Sequence, residues 1–296
     1  MPEVSIGLPV YNGERYLAKA IESILAQDYE DLELVISDNA STDATADICE
    51  DYARIDRRVK YHCFPENLGA ARNYNEVFRQ SSGRYFKWSA HDDVIKPAYL
   101  STCLQGFQED SSIVYPGAEF IDENDEVIRT DTDRQATSSD SPFVRSFEVL
   151  QTMSMAASVF GVFNRSKLER TGLIGAFISS DYVLLLQAAM LGKIVRLDTE
   201  PLFQRRLHSK MSRLANTGHN DVLSWFDPKA RSRLSERKRL YLEYSKAAFG
   251  IEGMPIPNKF MLSATAVAAF SFKAARVNTG RMRRNVATAL RRQRSS

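Results

Sequence analysis

At 296 residues, of which 44% are hydrophobic, the chain is long enough to bury a core, and this excludes a mainly disordered protein. Its 39 lysines and arginines nearly balance 37 aspartates and glutamates, so the net charge of +2 does not indicate a nucleic-acid binder. The three cysteines, Cys49, Cys63 and Cys103, lack the spacing of a zinc or redox site. We therefore expect buried or idle thiols in a reducing compartment.

Strand and helix patterns alternate through the first ninety residues. In chain order they predict a strand over Val4 to Val10, a helix from Leu17 to Leu25, a strand over Leu32 to Ser37, a helix from Ala44 to Ile55, a strand over Val59 to Phe64, a helix over Ala70 to Gln80 and a strand over Arg84 to Ala90. Such alternation predicts an α/β fold with a mainly parallel, Rossmann-like central sheet flanked by helices.

The middle of the chain is less regular. The predicted elements are a helix near Pro97, a hairpin of Ile113 to Asp122 with Glu126 to Thr130, a polar mobile loop over Asp131 to Ser141, a strand over Val159 to Asn164, a helix over Asp181 to Leu191 and one or two strands within Lys193 to Leu207. Beyond about Asn216 the pattern changes to polar helical segments rich in arginine and lysine. We therefore predict one domain over residues 1–215 and a helical, basic C-terminal extension over residues 216–296.

Polar residues follow three of the predicted strands at the point where each strand ends. These are the pairs Tyr11-Asn12, Asp38-Asn39 and Asp92-Asp93. In open α/β sheets, ligands bind beyond the carboxyl ends of the strands. The sequence therefore predicts a ligand site built from these three pairs.

Three stretches carry a resemblance to a known family: VSIGLPVYNGERYLAKAIESILAQDYEDLELVISDNASTDAT, ENLGAARNYN and AHDDVIKP. In this order and spacing they resemble the inverting glycosyltransferases of family 2, which have the GT-A fold, over roughly residues 3 to 210. The resemblance implies a transferase that uses a nucleotide-sugar donor.

The first strand end is implied to bind the nucleoside of the donor. The resemblance places Pro9, Tyr11 and Asn12 against the base, where an aromatic ring can stack. It assigns Asp38 to the N3-H of uracil or thymine, a group that a carboxylate accepts and cytosine lacks, so the donor is expected to be a UDP- or dTDP-sugar. The alternatives are a core-facing Tyr11 in an ordinary loop and an Asp38 that caps the following turn.

Gly69 and Arg72 lie where the third predicted helix begins. A helix N-terminus together with a guanidinium suits a diphosphate or a base edge, which is the role that the resemblance implies. The alternative is a solvated arginine at a helix start.

The acidic pair Asp92-Asp93 follows an apolar run, and neighbouring carboxylates there are costly unless a cation neutralises them. The resemblance makes this pair the metal motif, with Mg²⁺ or Mn²⁺ joining the aspartates to the donor diphosphate and with His208 as a further ligand. Many family members carry another aspartate where this chain has Ala90. The alternatives are a solvated Asp-Asp turn and a structural His208.

Asp181 opens a predicted helix after Ser180. The resemblance implies that Asp181 is the general base that deprotonates the acceptor hydroxyl, although the residue before it, usually acidic in the family, is Ser180 here. A helix N-cap is the alternative role for Asp181.

Two other functions stay open at this point. The replaced acids at Ala90 and Ser180 allow a nucleotide-binding scaffold without turnover. A nucleotidyltransferase has a related sheet, but it ordinarily has a glycine-rich loop with arginine and lysine directly after the first strand.

For a glycosyltransferase, the predicted acceptor is a carbohydrate or a lipid-linked molecule, in bacterial polysaccharide or glycolipid biosynthesis.

The C-terminal end is strongly basic. Eight lysines and arginines and no acidic residue lie between Lys273 and Ser296, after the apolar stretch Phe260 to Phe272. This combination favours peripheral attachment to an anionic membrane surface, with a solvated helical appendage as the alternative. The N-terminus has no signal-peptide pattern and no stretch reaches about 18 apolar residues, so we predict a cytoplasmic protein, with peripheral contact at the inner face of the cell membrane.

Overall fold

The computed structural model describes residues 1–132, 134–153, 157–208, 219–229 and 234–274. Its strands are β1 (Val4–Val10), β2 (Leu32–Asp38), β3 (Val59–Cys63), β4 (Tyr85–Trp88), β5 (Val94–Ile95), β6 (Ser111–Tyr115), β7 (Ala118–Ile121), β8 (Val127–Thr130), β9 (Val162–Asn164), β10 (Lys193–Arg196) and β11 (Phe203–Arg206). Its α-helices are α1 (Leu17–Leu25), α2 (Thr45–Ile55), α3 (Ala70–Arg79), α4 (Tyr99–Gln105), α5 (Pro142–Thr152), α6 (Arg165–Leu168), α7 (Ser180–Leu191), α8 (His219–Phe226), α9 (Glu236–Ala247) and α10 (256–274).

Within these ranges, seven strands form the main sheet in the order β10-β6-β9-β4-β1-β2-β3. The β3, β2, β1 and β4 strands are parallel, and β9 is antiparallel to its neighbours β4 and β6. β1 and β2 are buried at every position, as expected of strands covered by helices on both faces. The predicted α/β fold with a mainly parallel central sheet is confirmed.

A hydrophobic core lies on each face of this sheet. One core includes Leu17 and Ile21 of α1 and Leu100 of α4. The other receives side chains from α3, α5, α7, α9 and α10, so the C-terminal helices share a core with the sheet. Cys49 and Cys103 are buried thiols, and burial raises the pKa of each to about 12. No helix in the described ranges is long and apolar enough to cross a bilayer.

The prediction of one continuous strand over Ile113 to Asp122 is wrong. The chain breaks at Pro116-Gly117, so β6 pairs in the main sheet whereas β7 belongs to a second, four-stranded sheet of order β5-β11-β7-β8. Proline lacks the N–H group that a sheet ladder needs, which explains the break. The predicted antiparallel pairing of this region with Glu126 to Thr130 is present as β7 and β8.

The predicted polar loop over Asp131 to Ser141 has neither helix nor strand in its described residues, but it is fastened to the core. Gln135 is fully buried, and its backbone oxygen accepts a hydrogen bond from the Tyr115 hydroxyl at 2.5 Å. The Thr137 amide donates to the Ile194 carbonyl at 2.9 Å. Backbone groups of this loop thus form hydrogen bonds with the protein interior, and α5, which the sequence did not predict, follows directly.

Candidate active site

A cavity of about 830 Å³ opens at the carboxyl ends of β1 and β4, between the main sheet and the end of β11. Among the residues predicted to bind the donor or a metal, those that line it are Pro9, Tyr11, Asn12, Asp92, Asp93 and His208. Asp38, Gly69, Arg72 and Asp181 lie outside the lining. The cavity thus brings together the first and third polar pairs and Asn39 of the second pair.

The loop after β1 is held by hydrogen bonds to the loop after β2. Asn12 adopts a left-handed backbone (φ 51°), its amide donates to Ser41 Oγ at 2.8 Å, and its Oδ1 accepts from the Thr42 amide at 2.9 Å. The Gly13 amide donates to Thr45 Oγ1 at 2.9 Å. These side-chain bonds fix the cavity rim before any ligand binds, while the Tyr11 ring remains 44% exposed beside it.

Asp38 is fully buried beneath this rim. Its Oδ1 accepts hydrogen bonds from the Ser41 amide at 2.9 Å and from Ser41 Oγ at 2.5 Å, and its Oδ2 accepts from the Tyr61 hydroxyl at 3.1 Å. The residue that faces the cavity from the end of β2 is Asn39. The Asn39 amide group bridges to Asn67 Oδ1 at 2.9 Å and to the Leu68 amide at 2.8 Å.

The acidic pair is held by the end of β11. Asp92 Oδ2 lies 2.9 Å from His208 Nε2, and Asp93 Oδ1 accepts the backbone N–H of Arg206 at 2.9 Å. The buried Arg206 guanidinium donates from Nε to the Asp92 carbonyl at 2.9 Å and lies 4.6 Å from the centre of the Tyr16 ring. The second sheet thus positions the Arg-Arg-Leu-His segment against the turn that carries both aspartates.

The two carboxylates have opposite pKa shifts. Burial raises the pKa of Asp92, but the hydrogen bond with His208 and the charges of His91 and His208 outweigh burial and hold it below its ordinary value. Burial, reinforced by the charge of Asp92, raises the pKa of Asp93 to about 7. Two adjacent buried carboxylates therefore repel each other, and this repulsion is what a divalent cation would relieve.

The side chains that could act as metal ligands here fit such a cation. No group of three or more histidine, cysteine, aspartate or glutamate side chains in the described ranges is arranged as a complete metal cage. Mg²⁺ and similar ions do not need one, because they are commonly held by one or two carboxylates, with substrate phosphates and water completing the shell. Asp92 and His208 offer an oxygen and a nitrogen on the cavity wall, and Asp93 adds charge beside them.

Tyr74, on α3, also lines the cavity and was not predicted. Burial, followed by the charges of Asp92, Asp93 and Asp181, raises the pKa of Tyr74 well above its ordinary value, so its phenol stays neutral and can donate a hydrogen bond. Asp181 lies half-buried in the first turn of α7, after Ser179, which adopts a left-handed backbone (φ 63°). The phenol of Tyr74 therefore lies within electrostatic reach of both the acidic pair and the candidate base.

One wall of the cavity comes from beyond residue 216. Asp221, Ser224 and Trp225 of α8 contribute to the lining, and α8 packs against α3. Gly69 permits this packing, because it has a φ of +83° and a Cβ there would lie 2.5 Å from the Phe226 backbone oxygen. Gly69 thus has a structural role where α3 and α8 approach closely, in addition to the donor-binding role that the resemblance implies.

The domain boundary at residue 216 stays a prediction.

Arg72, on α3, is exposed, and its guanidinium lies 5.9 Å from the centre of the Phe64 ring. Arg205 instead lines the cavity, between the rings of Phe120 and Phe160 at 5.8 Å from each. The cavity lining therefore includes an arginine of β11, whereas Arg72 of α3 lies outside it.

Comparison with known proteins identifies relatives along most of the chain. A sequence profile described as Glycosyl transferase family 2 matches residues 5–172. An uncharacterised glycosyltransferase of Rickettsia prowazekii is 28% identical over 231 residues, covering 76% of this chain and 70% of the relative. The glycosyltransferase GlyA of Streptococcus pneumoniae is 35% identical over 107 residues, which cover 36% of this chain and only 15% of GlyA.

Solved structures share the fold. TarS residues 1–349 of S. aureus in complex with UDP-GlcNAc superimposes with a TM-score of 0.64 at 17% identity, covering 92% of this chain and 72% of that one. The mannosyltransferase PcManGT of Pyrobaculum calidifontis, in complex with GDP-Man and Mn²⁺, gives a TM-score of 0.54 at 18% identity, covering 98% and 81%. The expected GT-A fold is confirmed.

Proposed function

The chain belongs to glycosyl transferase family 2, and we propose that it transfers a sugar from a UDP- or dTDP-sugar to an acceptor hydroxyl with inversion at the anomeric carbon. The observation that carries this proposal is the single cavity where the loop after β1 meets Asp92, Asp93 and His208. Relatives named as glycosyltransferases, the mannosyltransferase bound to GDP-Man and TarS bound to UDP-GlcNAc support it.

The nucleoside is proposed to lie at the rim formed by Pro9, Tyr11 and Asn12, with the exposed Tyr11 ring stacked on the base. Asp38 is proposed to select uracil or thymine. Because the Asp38 carboxylate is bonded to Ser41 in this conformation, that contact requires the loop after β2 to open. Gly69 and Arg72 are proposed to contribute from the start of α3.

The diphosphate is proposed to lie over the acidic pair, with Mg²⁺ or Mn²⁺ held by Asp92, Asp93 and His208. When bound, the cation neutralises charge on the departing nucleoside diphosphate. The protein's own part is positioning: Arg206 fixes the backbone of Asp92, and the Arg206 amide holds the Asp93 carboxylate. Arg205 lines the same cavity and offers a fixed positive charge to the leaving group.

Asp181 is proposed as the general base. It takes the proton of the acceptor hydroxyl while that oxygen attacks the anomeric carbon, on the face opposite the diphosphate, and the bond between the anomeric carbon and the diphosphate oxygen breaks. Configuration is thereby inverted, and the nucleoside diphosphate leaves with the bonding electron pair. Tyr74 lines the same cavity from α3.

The acceptor is proposed to be a carbohydrate or a lipid-linked molecule in bacterial polysaccharide or glycolipid biosynthesis. The names of the bacterial relatives support sugar transfer itself. We further propose a cytoplasmic location with peripheral contact at the inner face of the cell membrane. The basic tail that motivates this contact lies, beyond residue 274, outside the described residues.

A thermal-shift panel tests the donor. UDP-, dTDP-, GDP- and CDP-sugars are each added with and without Mn²⁺, and a ligand at a hundred times its dissociation constant stabilises the folded state by about 2.7 kcal/mol. We expect a shift with UDP- or dTDP-sugars that is larger with Mn²⁺. A preference for GDP- or CDP-sugars would contradict the role of Asp38, and binding without any turnover would favour a scaffold.

A further inference from the structure

Charge is distributed unevenly along the chain. Residues 253–296 contain nine lysines and arginines and no aspartate or glutamate. The first 252 residues hold the other 30 basic residues and all 37 acidic ones, so they carry a net charge of −7 against +9 for the remainder. A negatively charged surface would attract the C-terminal end of the chain and repel the rest.

The α10 helix is apolar on more than one side. Leu262, Ala266 and Ala269 are fully buried in the core that α10 shares with α7 and α9. The large hydrophobic side chains that are more than half exposed on α10 are Ile256, Phe260, Met261 and Phe272. A helix that is hydrophobic all round is normally buried all round, and nothing in the described part of the chain covers this second side.

Aromatic residues of neighbouring elements extend this surface. The ring of Phe249, which follows α9, is 44% exposed and lies 5.1 Å from the ring of Phe260. The ring of Phe147 on α5 is 40% exposed and lies 6.1 Å from that of Phe272. We call the set formed by Phe147, Phe249, Ile256, Phe260, Met261 and Phe272 the aromatic face. Several exposed apolar side chains along one element mark an interaction site more often than single exposed residues do.

The charged residues of α10 itself, Lys259 and Lys273, are both basic, which favours an anionic partner. Lys259 lies between Phe249 and Phe260, where its Nζ donates to the Phe249 carbonyl at 3.1 Å, and Lys246 of α9 is exposed. Of the acidic side chains on the adjoining segments, Glu243 pairs with Arg239 at 2.8 Å, Glu148 accepts hydrogen bonds from Ser138, and Glu252 is exposed.

We propose that the aromatic face docks on an anionic lipid bilayer, with α10 lying in the plane of the interface. An apolar helical face flanked by lysine and arginine is the pattern of interfacial helices, which enter the boundary of head groups and acyl chains. Face-to-face pairing of two copies would bring two segments of +9 together, and like charges oppose such an interface. The inference deepens the membrane contact proposed above, because it names a folded surface rather than the tail.

The test is co-sedimentation of the full-length protein with vesicles of phosphatidylcholine, with and without phosphatidylglycerol. The double substitution Phe260→Glu with Met261→Glu is expected to lower the vesicle partition coefficient at least about tenfold, since it removes apolar burial and adds two charges that anionic lipid repels. The matched control is Ile55→Glu with Ile128→Glu, at two exposed apolar positions on α2 and β8, and its partition coefficient is expected to stay within about twofold of wild type.

Deletion of residues 275–296 separates the contribution of the aromatic face to vesicle binding from that of the basic tail. The shortened chain is expected to bind anionic vesicles more weakly than the full chain and still to lose binding with the double substitution. The proposal is overturned if wild type stays in the supernatant, if the double variant sediments like wild type, or if light scattering shows a dimer that the double variant dissociates. UDP affinity is measured for every variant, and we expect it to be unchanged, so failure of donor binding is detected independently of failure at the membrane.

Discussion

Arg206 should contribute more to stability than any exposed ion pair, because it joins three parts of the chain. Its side chain is 2% exposed. Nε donates to the Asp92 carbonyl at 2.9 Å, Nη1 donates to the Asp122 carbonyl at 2.9 Å, and Nη2 lies 2.5 Å from Asp125 Oδ1. The turn of the acidic pair, the β7-β8 hairpin and β11 therefore all depend on one guanidinium.

The magnitude follows from these contacts. Substitution of Arg206 by methionine keeps much of the side-chain volume but leaves two backbone carbonyls without their charged donor, at about 1.5–3 kcal/mol for each bond. The pair with Asp125 adds less, because the Asp125 side chain is 34% exposed and water screens it. We therefore expect Arg206→Met to lower the free energy of unfolding by about 3–5 kcal/mol, a large part of a total of about 5–15 kcal/mol.

The assay is urea unfolding of the full-length protein, with Arg15→Met as the matched control. Arg15 pairs with Glu123 of the same hairpin at 2.6 Å, but the two side chains are 55% and 38% exposed, so this pair should contribute about 0–1 kcal/mol. A loss below about 1 kcal/mol for Arg206→Met, or equal losses for the two variants, would refute the reasoning.

Three further predictions address the base, a buried lysine and the wall of the cavity. Asp181→Asn should leave donor affinity unchanged and lower kcat about a hundredfold or more in a UDP-release assay, whereas kcat within about threefold of wild type would return Asp181 to helix capping. Burial lowers the pKa of Lys87 to about 7 from 10.5, so the unfolded chain binds this proton more tightly and the contribution of Lys87 to stability should rise with pH between those values. In urea unfolding, the free energy of unfolding of Lys87→Met should lack this pH-dependent contribution. The same pH dependence in the variant and in wild type would contradict the prediction. At position 69 the backbone φ is +83° and a new Cβ would press against the Phe226 oxygen. Gly69→Ala should therefore destabilise the fold by more than about 1 kcal/mol and weaken donor binding in calorimetry. Unchanged stability and donor binding would show that the position of α8 does not depend on the close contact between Gly69 and Phe226.

The first half of the fold was predictable because its signals are local. β1 and β2 are mostly apolar segments that end at polar pairs, and the helix faces of α1 to α3 repeat at helical spacing. The region after Pro97 was not predictable in this way, because the hydrophobic pattern alone does not tell which sheet a strand joins. Ser111–Tyr115 and Ala118–Ile121 read as one strand, yet they pair in different sheets across Pro116-Gly117.

The candidate site was predictable only in part for a related reason. Tyr11, Asn12, Asp92 and Asp93 end neighbouring parallel strands, so geometry brings them to one edge. The lining by Trp225 depends on the packing of α8 on α3, a contact between residues more than 140 positions apart that no local pattern encodes.

Calorimetric titration of UDP tests the central claim, that Asp92 helps to hold a cation and a nucleoside diphosphate in this cavity. Wild type and Asp92→Asn are each titrated with Mn²⁺ and with a chelator. We predict that Mn²⁺ tightens UDP binding to wild type at least about tenfold, about 1.4 kcal/mol, and that Asp92→Asn removes this gain while its unfolding temperature stays near that of wild type. The same Mn²⁺ gain in both proteins, or no UDP binding to wild type under either condition, would contradict the account.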